Sequence, residues 1–448
     1  MTARRSAEEV VEQAVESLAR AFVGSGEVFF RESASSSIEV RDGALENILA
    51  HGERGIGVRV IDAGRLGFAY TSDLSAEGVV ECWASAMRMA TVTEPDADLR
   101  IATGDADSAD LGIHVPLEQR PVDQRAEIAF AVERAARAVD SRVSGFRETS
   151  YYEGEATTVI ATTAGTRGSY SESWSGVSTS AIATDGAERQ SGSHGEAARG
   201  FAHVLPEAVG RRAAEVAVGK LGARTIETQK VPVVFEPYEA VQLLGAISPL
   251  FSAENVLKGK SLFAGRIGTP VASPSVTIVD DPRRMGGLRS APFDGEGTAT
   301  KRRTLVERGE LRGYLHSLKT AAKLGDEPSG SARRSSYSGP GRIGRSNFYI
   351  DAGTSDAAAL VRGLGRALRI TSLLNLHTID PISGEFSLGA TGAYLEDGER
   401  QYAVEGITIA GNLLDLLSSI AGVGDDLTFS GGIGSPTLVV SELSVGGT

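Results

Sequence analysis

The strand and turn pattern near the C-terminus constrains the fold more than any other feature of this 448-residue chain. Residues 388–394 and 400–404 read as strands that flank Asp397-Gly398, a pair that tolerates the positive φ angles of a tight hairpin turn. Residues 407–412 then read as a strand that runs into a helix, which Asn412 can cap. The apolar face of that helix comprises Leu413, Leu416, Leu417 and Ile420. This order predicts a hairpin, a strand and a capped helix in direct succession.

The rest of the chain alternates helical stripes with short strands. Ser6 and Glu9 form a capping box ahead of a first helix that ends at Gly24. Further helices are predicted at 76–89, 122–139, 206–221, 238–246 and 356–370. Strands are predicted at 28–31, 37–41, 45–50, 56–61, 66–71, 231–235 and 275–279, with long antiparallel strands between 150 and 193. The mixture of helices and antiparallel hairpins indicates an α+β fold.

The length allows two domains, each large enough to bury a core. We place their boundary near residues 223–230, just before the apolar strand at 231–235. Residues 1–225 would combine helices with an antiparallel sheet, and residues 226–448 would form a strand-rich α+β domain. The acidic segment 94–110 and the Gly/Ser/Arg-rich segment 329–345 are predicted to be loops, the first of them exposed.

The net charge excludes some partners. The chain carries a formal charge of −13 with a pI near 5.1, which argues against nucleic acid or an anionic membrane surface as the main partner. No run approaches the roughly 18 apolar residues of a membrane-spanning helix. No apolar segment follows the first arginines as in a secretory signal, so we expect a cytoplasmic protein. The single cysteine, Cys82, reads as a small buried hydrophobe.

Three segments, in order along the chain, carry a resemblance to a known family. They are the N-terminal hairpins at 37–75, the central block at 290–325 with its D-x-E-G turn, and the pattern at 384–426. Together they resemble the TldD/PmbA family, once called modulators of DNA gyrase and now regarded as metallopeptidases. The chain is most similar to the PmbA (TldE) branch.

The resemblance also shows what this chain lacks. TldD-type members bind zinc through an H-E-x-x-x-H motif that follows an apolar strand, with the glutamate activating water. Matching that segment to residues 231–251 places Gly245 and Ala246 at the His-Glu positions and Leu250 at the second histidine. None of these side chains can bind a metal or move a proton. The resemblance therefore implies no metal and no catalytic residue in this chain.

Other candidate catalytic groups come from the residues alone. His194 and His203, with Glu196 between them, could converge across antiparallel strands, although ordinary surface histidines fit the pattern better. Asp294 and Glu296 could act as paired carboxylates, but an acidic turn that binds its own backbone is more common. The run Lys301, Arg302 and Arg303 reads as solvated charge, with ion pairing at a subunit interface as the alternative.

The resemblance implies a two-chain zinc peptidase in which this chain is the metal-lacking subunit. A TldD-like partner would supply the zinc, while this chain would bind an unstructured peptide in extended form, for proteolysis or for maturation of peptides and natural products. A hetero-oligomer is expected, or a homodimer when the chain is alone. The candidate peptide-binding residues are small, or lie at the strand-to-helix junction, and either peptide approach or tight strand packing would explain them. They are Gly389, Ala390, Thr391, Gly392, Gly411 and Asn412.

Two other functions stay open. The chain could be an independent hydrolase with an unrecognised site, for which His194, Glu196 and His203 are the candidates. It could also be a homo-oligomeric module that binds peptides without a catalytic partner.

Overall fold

The computed structural model describes residues 5–447 and has the α+β architecture that the sequence predicts. The α-helices are α1 Ala7–Ala21, α2 Ala76–Ala90, α3 Val122–Arg137, α4 Pro206–Gly219, α5 Pro237–Ile247, α6 Ala253–Leu257, α7 Leu318–Leu324, α8 Ala357–Arg362 and α9 Leu413–Ser418. The strands of the first half are β1 Ser25–Arg41, β2 Ala44–Asp62, β3 Arg65–Thr71, β4 Val143–Thr162, β5 Arg167–Asp185 and β6 Glu188–Ala198. The later strands are β7 Gln229–Phe235, β8 Ile278–Asp280, β9 Arg303–Glu307, β10 Glu310–Leu311, β11 Ala332–Arg333, β12 Arg342–Ile343, β13 Phe348–Ile350, β14 Arg366–Leu374, β15 Glu385–Glu396, β16 Glu399–Asn412, β17 Ile420–Val423, β18 Thr428–Ser430, β19 Ile433–Ser435 and β20 Leu438–Gly446. Within these residues, no helix is long and apolar enough to cross a membrane.

The first sheet is antiparallel, with the strand order β3-β2-β1-β4-β5-β6. Its strands β1 and β2 are 17 and 19 residues long, so the prediction of separate short strands between 28 and 61 is wrong. The polar stretch 32–36 continues β1 because its backbone pairs with a neighbour on each side: Ser33 lies opposite Glu53 of β2 and Ala156 of β4. Such pairing satisfies the main chain without an apolar pattern.

The two faces of this sheet contact different parts of the molecule. Val28, Phe30 and Ile38 of β1 point to one face, where they pack with the first four helices. Glu27 and Phe29 point to the other face, because side chains alternate along a strand. There Phe29 packs in a cluster with Phe293 and Tyr337 from the second half of the chain. The inner face of the sheet is thus the junction between the two halves.

The C-terminal half is built around a closed barrel. Strands β16, β15, β14, β7 and β20 pair in that order, and pairing of β16 with β20 closes the ring. Only β7 and β14 run parallel among these pairs. The predicted hairpin is confirmed: Asp397 and Gly398 join β15 to β16 with φ angles of 50° and 80°.

The helix predicted at 356–370 is only partly correct. Helix α8 ends at Arg362, and Gly365 then adopts a φ of 61°, which ends the helical path. The following residues form β14, which lies between β7 and β15 in the barrel. Long-range pairing on both edges therefore overrides the local helical pattern.

A second sheet, ordered β10-β9-β8-β13-β19-β18, packs beside the barrel. The strand predicted at 275–279 begins later, at Ile278. The predicted loop 329–345 contains a short ladder between β11 and β12, and its tip contacts the first sheet. Tyr337 lies so close to β2 that a Cβ on Gly57 would stand 2.3 Å from the Tyr337 carbonyl oxygen. This segment, which we call the arginine hairpin (residues 329–345), ties the two halves together.

The acidic segment 94–110 is irregular, as the sequence predicts, but it is not exposed throughout. Ile101, Ala102 and Ala106 are buried, and Asp96 forms an ion pair of 2.7 Å with Lys319 of α7. The segment therefore packs between the two halves.

Candidate functional site

Helix α5 and the turn after it carry the three positions where the resemblance places a metal motif. Pro237 opens the helix, where its fixed φ angle and missing N–H cost nothing. Gly245 and Ala246 lie in the last turn, and a 3₁₀ turn, Ser248–Phe251, follows directly. Leu250 in that turn is buried. The three residues are thus held on one continuous helical segment.

The three positions do not converge on one point. A Cβ on Gly245 would lie 3.0 Å from Cδ1 of Ile433, so this position faces the second sheet. Ala246 and Leu250 instead line a cavity of about 580 Å³, together with Gln242, Leu376, His377 and Ile379. We call this space the apolar cavity.

A zinc ion does not fit these positions. Glycine, alanine and leucine side chains offer no lone pair, whereas a catalytic zinc site needs three protein ligands from histidine, cysteine or a carboxylate. Across residues 5–447, no group of three or more such side chains is placed to hold a metal ion. No metal-assisted step can therefore be derived from the side chains of this segment.

A second cavity, of about 600 Å³, adjoins the first. The two share Pro249 and Asn255, and the Asn255 side chain donates a hydrogen bond of 2.9 Å to the Pro249 carbonyl oxygen between them. Basic side chains from two directions line this space: Lys258 after α6, and Arg342 and Arg345 from the arginine hairpin. We call it the cationic cavity.

The small-residue strand 389–392 lies inside the barrel wall. Gly389 pairs with Leu374 of β14 on one side and with Thr408 of β16 on the other. A Cβ on Gly392 would stand 2.3 Å from the Arg369 carbonyl oxygen. Ala390 is buried, and Thr391 contacts Thr371 through hydroxyl oxygens 3.3 Å apart. Both edges of β15 are occupied here, so a peptide cannot add to this strand edge-on.

The predicted cap at Asn412 is confirmed. Its Oδ1 accepts a hydrogen bond of 3.0 Å from the Leu414 backbone N–H at the start of α9. Its Nδ2 donates to the Ser383 carbonyl oxygen and to Glu385, at 2.9 and 3.1 Å. These contacts use the amide for local structure. A Cβ at the adjacent Gly411 would meet Phe386 only at an ordinary 3.4 Å.

The alternative catalytic groups are only partly brought together. His194 and Glu196 of β6 approach to 3.6 Å, and burial lowers the pKa of His194 although Glu196 opposes this. The His194 ring lies 5.3 Å from that of Tyr238. His203 lies in a separate 3₁₀ turn, Phe201–His203, where it is exposed and lines one cavity with Glu196 but not with His194. Cys82 is buried as predicted, and burial raises its pKa to about 12.

The D-x-E-G turn is buried at the junction between the halves. Asp294 Oδ1 accepts backbone hydrogen bonds from Glu296 and Thr298, which confirms the interpretation of a turn that binds its own backbone. Burial and the neighbouring Glu296 raise the pKa of Asp294 to about 7. Glu296 in turn accepts from Arg59 Nη1 at 2.6 Å and from the backbone N–H of Leu318 at 2.8 Å.

Arg59 extends this turn into a network that spans the junction. Its Nη2 donates to Glu27 at 2.6 Å, and Arg334 of the arginine hairpin pairs with the same carboxylate. Burial raises the pKa of Glu27, but Arg334 and Arg59 outweigh it, so the pKa is lowered overall. Of the basic run, Arg302 pairs with Asp351 at 3.7 Å and Arg303 donates to the Pro328 carbonyl oxygen, while Lys301 is exposed.

Comparison with known families decides the identity of the chain. Three family models match it in order: PmbA/TldA metallopeptidase domain 1 at residues 26–90, the central domain at 115–221 and the C-terminal domain at 228–447. A crystal structure from Thermotoga maritima, described as a modulator of a DNA gyrase, is 31% identical, with a TM-score of 0.90 over 98% of this chain and 100% of that one. The chain belongs to the PmbA/TldD family.

Relatives in the PmbA/TldD family carry both names. The metalloprotease PmbA of Escherichia coli O157:H7 is 28% identical over 99% of this chain and 97% of its own length. A metalloprotease TldD homologue of Haemophilus influenzae is 27% identical over 94% of this chain and 92% of its own length. The crystal structure of TldE from Thermococcus kodakarensis shares the fold, with a TM-score of 0.87 at 21% identity.

The sequence of this PmbA/TldD member did not point to four arginines, two of which, Arg342 and Arg345, line the cationic cavity. They are Arg289, Arg333, Arg342 and Arg345. One signal could have found three of them: the segment 329–345 contains four arginines and no acidic residue. The pairing that aligns Arg333 with Arg342 joins residues nine positions apart, whereas Arg289 lies 44 positions before Arg333 and reaches the hairpin only through the fold.

Proposed function

We propose that this chain is the metal-lacking subunit of a two-chain zinc peptidase, with a TldD-like protein as the partner that holds the zinc. The chain would complete the binding site and hold an unstructured peptide in extended form. Hydrolysis would take place at the partner's metal.

One observation carries the proposal. At the positions that the resemblance assigns to the metal motif, the structure has Gly245 facing Ile433, and Ala246 and Leu250 facing the apolar cavity. A segment whose side chains are apolar and cannot coordinate a metal supports a binding role in the assembly rather than a catalytic one. Membership of a metallopeptidase family supports the peptide as substrate.

The structure also suggests where an extended peptide could pair. Strand β6 is an edge of the first sheet and β18 is an edge of the second. Between them lies a cavity of about 470 Å³, which we call the edge cavity, lined by residues 195–199 and by Phe429, Ser430 and Gly431. Addition of a peptide strand to a free edge uses main-chain hydrogen bonds and so tolerates many sequences. Strand β6 fits this mode better than the doubly paired β15.

The test combines metal analysis with reconstitution. The purified chain should contain no stoichiometric zinc and should not cleave an unstructured protein such as casein, whereas adding a TldD-like protein from the same organism should start cleavage. A partner whose motif glutamate is replaced by glutamine should bind this chain without activating it. One tight zinc per chain, or cleavage by the lone chain that is lost in His203→Ala, would refute the proposal.

A further inference from the structure

The arginine hairpin places like charges side by side. Arg333 of β11 lies directly opposite Arg342 of β12. Side chains of directly opposed residues project to the same face of an antiparallel pair, and like charges in that position are destabilising. We call Arg289, Arg333, Arg342 and Arg345 the arginine cluster.

Arg345 connects this cluster to the segment after α5. Its Nη1 donates a hydrogen bond of 3.0 Å to Ser248 Oγ, in the 3₁₀ turn that carries Leu250. Partial burial and the charge of Arg289 lower the pKa of Arg345, and the nearby Asp280 opposes them. The guanidinium groups of Arg289 and Arg345 are therefore close enough to repel each other.

The cluster forms no ion pair at contact distance. Within residues 5–447, none of its four arginines has a carboxylate oxygen within 4.0 Å. Arg333 also has two buried nitrogens, Nε and Nη2, without a hydrogen-bond partner. Asp280 is the nearby acid, but it is only 2% exposed and its Oδ1 accepts from the Ser346 backbone N–H at 2.6 Å. A single buried carboxylate therefore acts on Arg333 and Arg345 without forming an ion pair, and a bound anion would offset the remaining positive charge.

Two members of the arginine cluster border the cationic cavity. Arg342 and Arg345 both line it and are exposed to solvent. Its Glu254 pairs with Lys258 at 2.5 Å and forms no ion pair with either arginine. We propose that the cationic cavity binds a carboxylate group of the substrate peptide, so that this subunit selects peptides by a free C-terminus or by an acidic side chain. This inference rests on the proposed function.

Two physical points favour a carboxylate over a larger anion. The planar guanidinium group binds a carboxylate through two parallel hydrogen bonds, which makes arginine more selective than lysine here. The chain as a whole carries a charge of −13, which disfavours polyanions such as nucleic acid more strongly than a single carboxylate. A volume of about 600 Å³ holds a few residues of an extended peptide.

The test measures binding of defined peptides to the full chain by isothermal titration calorimetry. The probe is an acetylated ten-residue peptide of glycine, serine and alanine in three forms: with a C-terminal acid, with a C-terminal amide, and with a C-terminal amide and a central glutamate. We expect the acid form, the glutamate form or both to bind about tenfold more tightly than the plain amide, as expected for a charge-assisted pair. Which form gains shows whether the carboxylate is terminal or on a side chain.

Matched variants locate the effect. Arg342→Gln should remove the preference for the charged peptide over the amide, and Arg342→Lys should restore that preference only in part. Arg211→Gln, an exposed arginine on α4, is the control for loss of one positive charge. Equal affinity for all three peptides, no binding of any, or equal effects of Arg342→Gln and Arg211→Gln would each overturn the inference.

A cleavage assay on the reconstituted pair tests this inference and the proposed function independently. If a TldD-like partner activates cleavage but Arg342→Gln cleaves acidic and neutral peptides as the parent chain does, the carboxylate site is wrong and the subunit role stands. If no partner activates cleavage while the lone chain still prefers the charged peptide, the subunit role is wrong and the carboxylate site stands.

Discussion

Two neighbouring arginines of the same hairpin have opposite surroundings. The Arg334 side chain is 1% exposed, pairs with Glu27 and lies over the Phe29 ring at 4.7 Å. Both residues have buried nitrogens without hydrogen-bond partners, but Arg333, one residue earlier, forms no ion pair within the described residues and stands opposite Arg342. Arg334 points into the junction between the two halves, whereas Arg342, opposite Arg333, lines the cationic cavity.

The comparison distinguishes arginines that stabilise the fold through ion pairs from arginines that are free to bind a ligand. In the junction, Glu27 and Glu296 share Arg59, and Glu27 also binds Arg334, so each buried charge has a partner. Removing one partner there leaves an uncompensated buried charge, which is strongly destabilising. In the arginine cluster no arginine forms an ion pair within the described residues, so removing the exposed Arg342 should affect binding and hardly affect folding.

The largest expected effect is at the junction. Arg59→Ala leaves Glu27 and Glu296 buried without their shared cation and should lower the free energy of unfolding by about 3–5 kcal/mol. Urea denaturation at pH 7 measures this. Arg41→Ala in the same sheet breaks only an exposed 3.0 Å pair with Glu46 and should cost less than about 1 kcal/mol. Similar losses in the two variants would show that the buried network is not what holds the halves together.

Two glycines of the barrel also differ, in the space that an added Cβ would have. Gly392→Ala places a Cβ 2.3 Å from the Arg369 carbonyl oxygen and should destabilise the barrel by about 1–3 kcal/mol. Gly411→Ala meets only an ordinary contact with Phe386 and should change stability by less than about 1 kcal/mol. Thermal unfolding of both variants is the measurement. A stable Gly392→Ala protein with weakened peptide binding would instead favour a peptide-facing strand.

An intermediate effect on stability is expected at a buried acid that forms no ion pair within the described residues. Burial and the neighbouring Glu236 raise the pKa of Glu239 on α5 to about 7, and its Oε2 has no hydrogen-bond partner. The folded state therefore binds the proton more tightly than the unfolded state, so this group makes stability fall as pH rises from about 4.5 to about 7, by at most about 1.4 kcal/mol per pH unit.

Glu239→Gln should remove that slope and stabilise the protein above pH 7. Unfolding free energies at pH 5, 6, 7 and 8 in both proteins test this. Parallel pH profiles for the two proteins would mean that Glu239 stays ionised in the folded state.

The smallest effect on folding is expected at the cationic cavity. Arg342→Gln removes an exposed charge that faces Arg333, so stability should stay within about 0.5 kcal/mol or rise slightly. Urea denaturation beside Arg59→Ala gives the direct contrast. A loss of several kcal/mol would mean that Arg342 is a structural charge and that the distinction between the two regions is wrong.

Local signals predicted much of the fold and little of the site. The capping box at Ser6, the Asp397-Gly398 turn and the Asn412 cap are contacts within a few residues, and all three are confirmed. The helix expected across 366–370 is wrong, because β14 obtains its pairing from β7 and β15, which are distant in sequence. The arginine cluster was missed in part for the same reason: the β11–β12 ladder is local, but Arg345 contacts Ser248, 97 residues away in the chain.

The sequence by itself determined the family, the α+β class and the absence of ligand side chains at positions 245, 246 and 250, since these depend on residue identity and local order. The tertiary structure alone decided which charges have partners. It buries Glu27 with Arg59 and Arg334 from remote segments and pairs both edges of β15 within the closed barrel. It also leaves Arg342 and Arg345 facing a cavity. Charge compensation depends on distances between segments far apart in the chain, so only the folded arrangement separates a structural arginine from one available to a ligand.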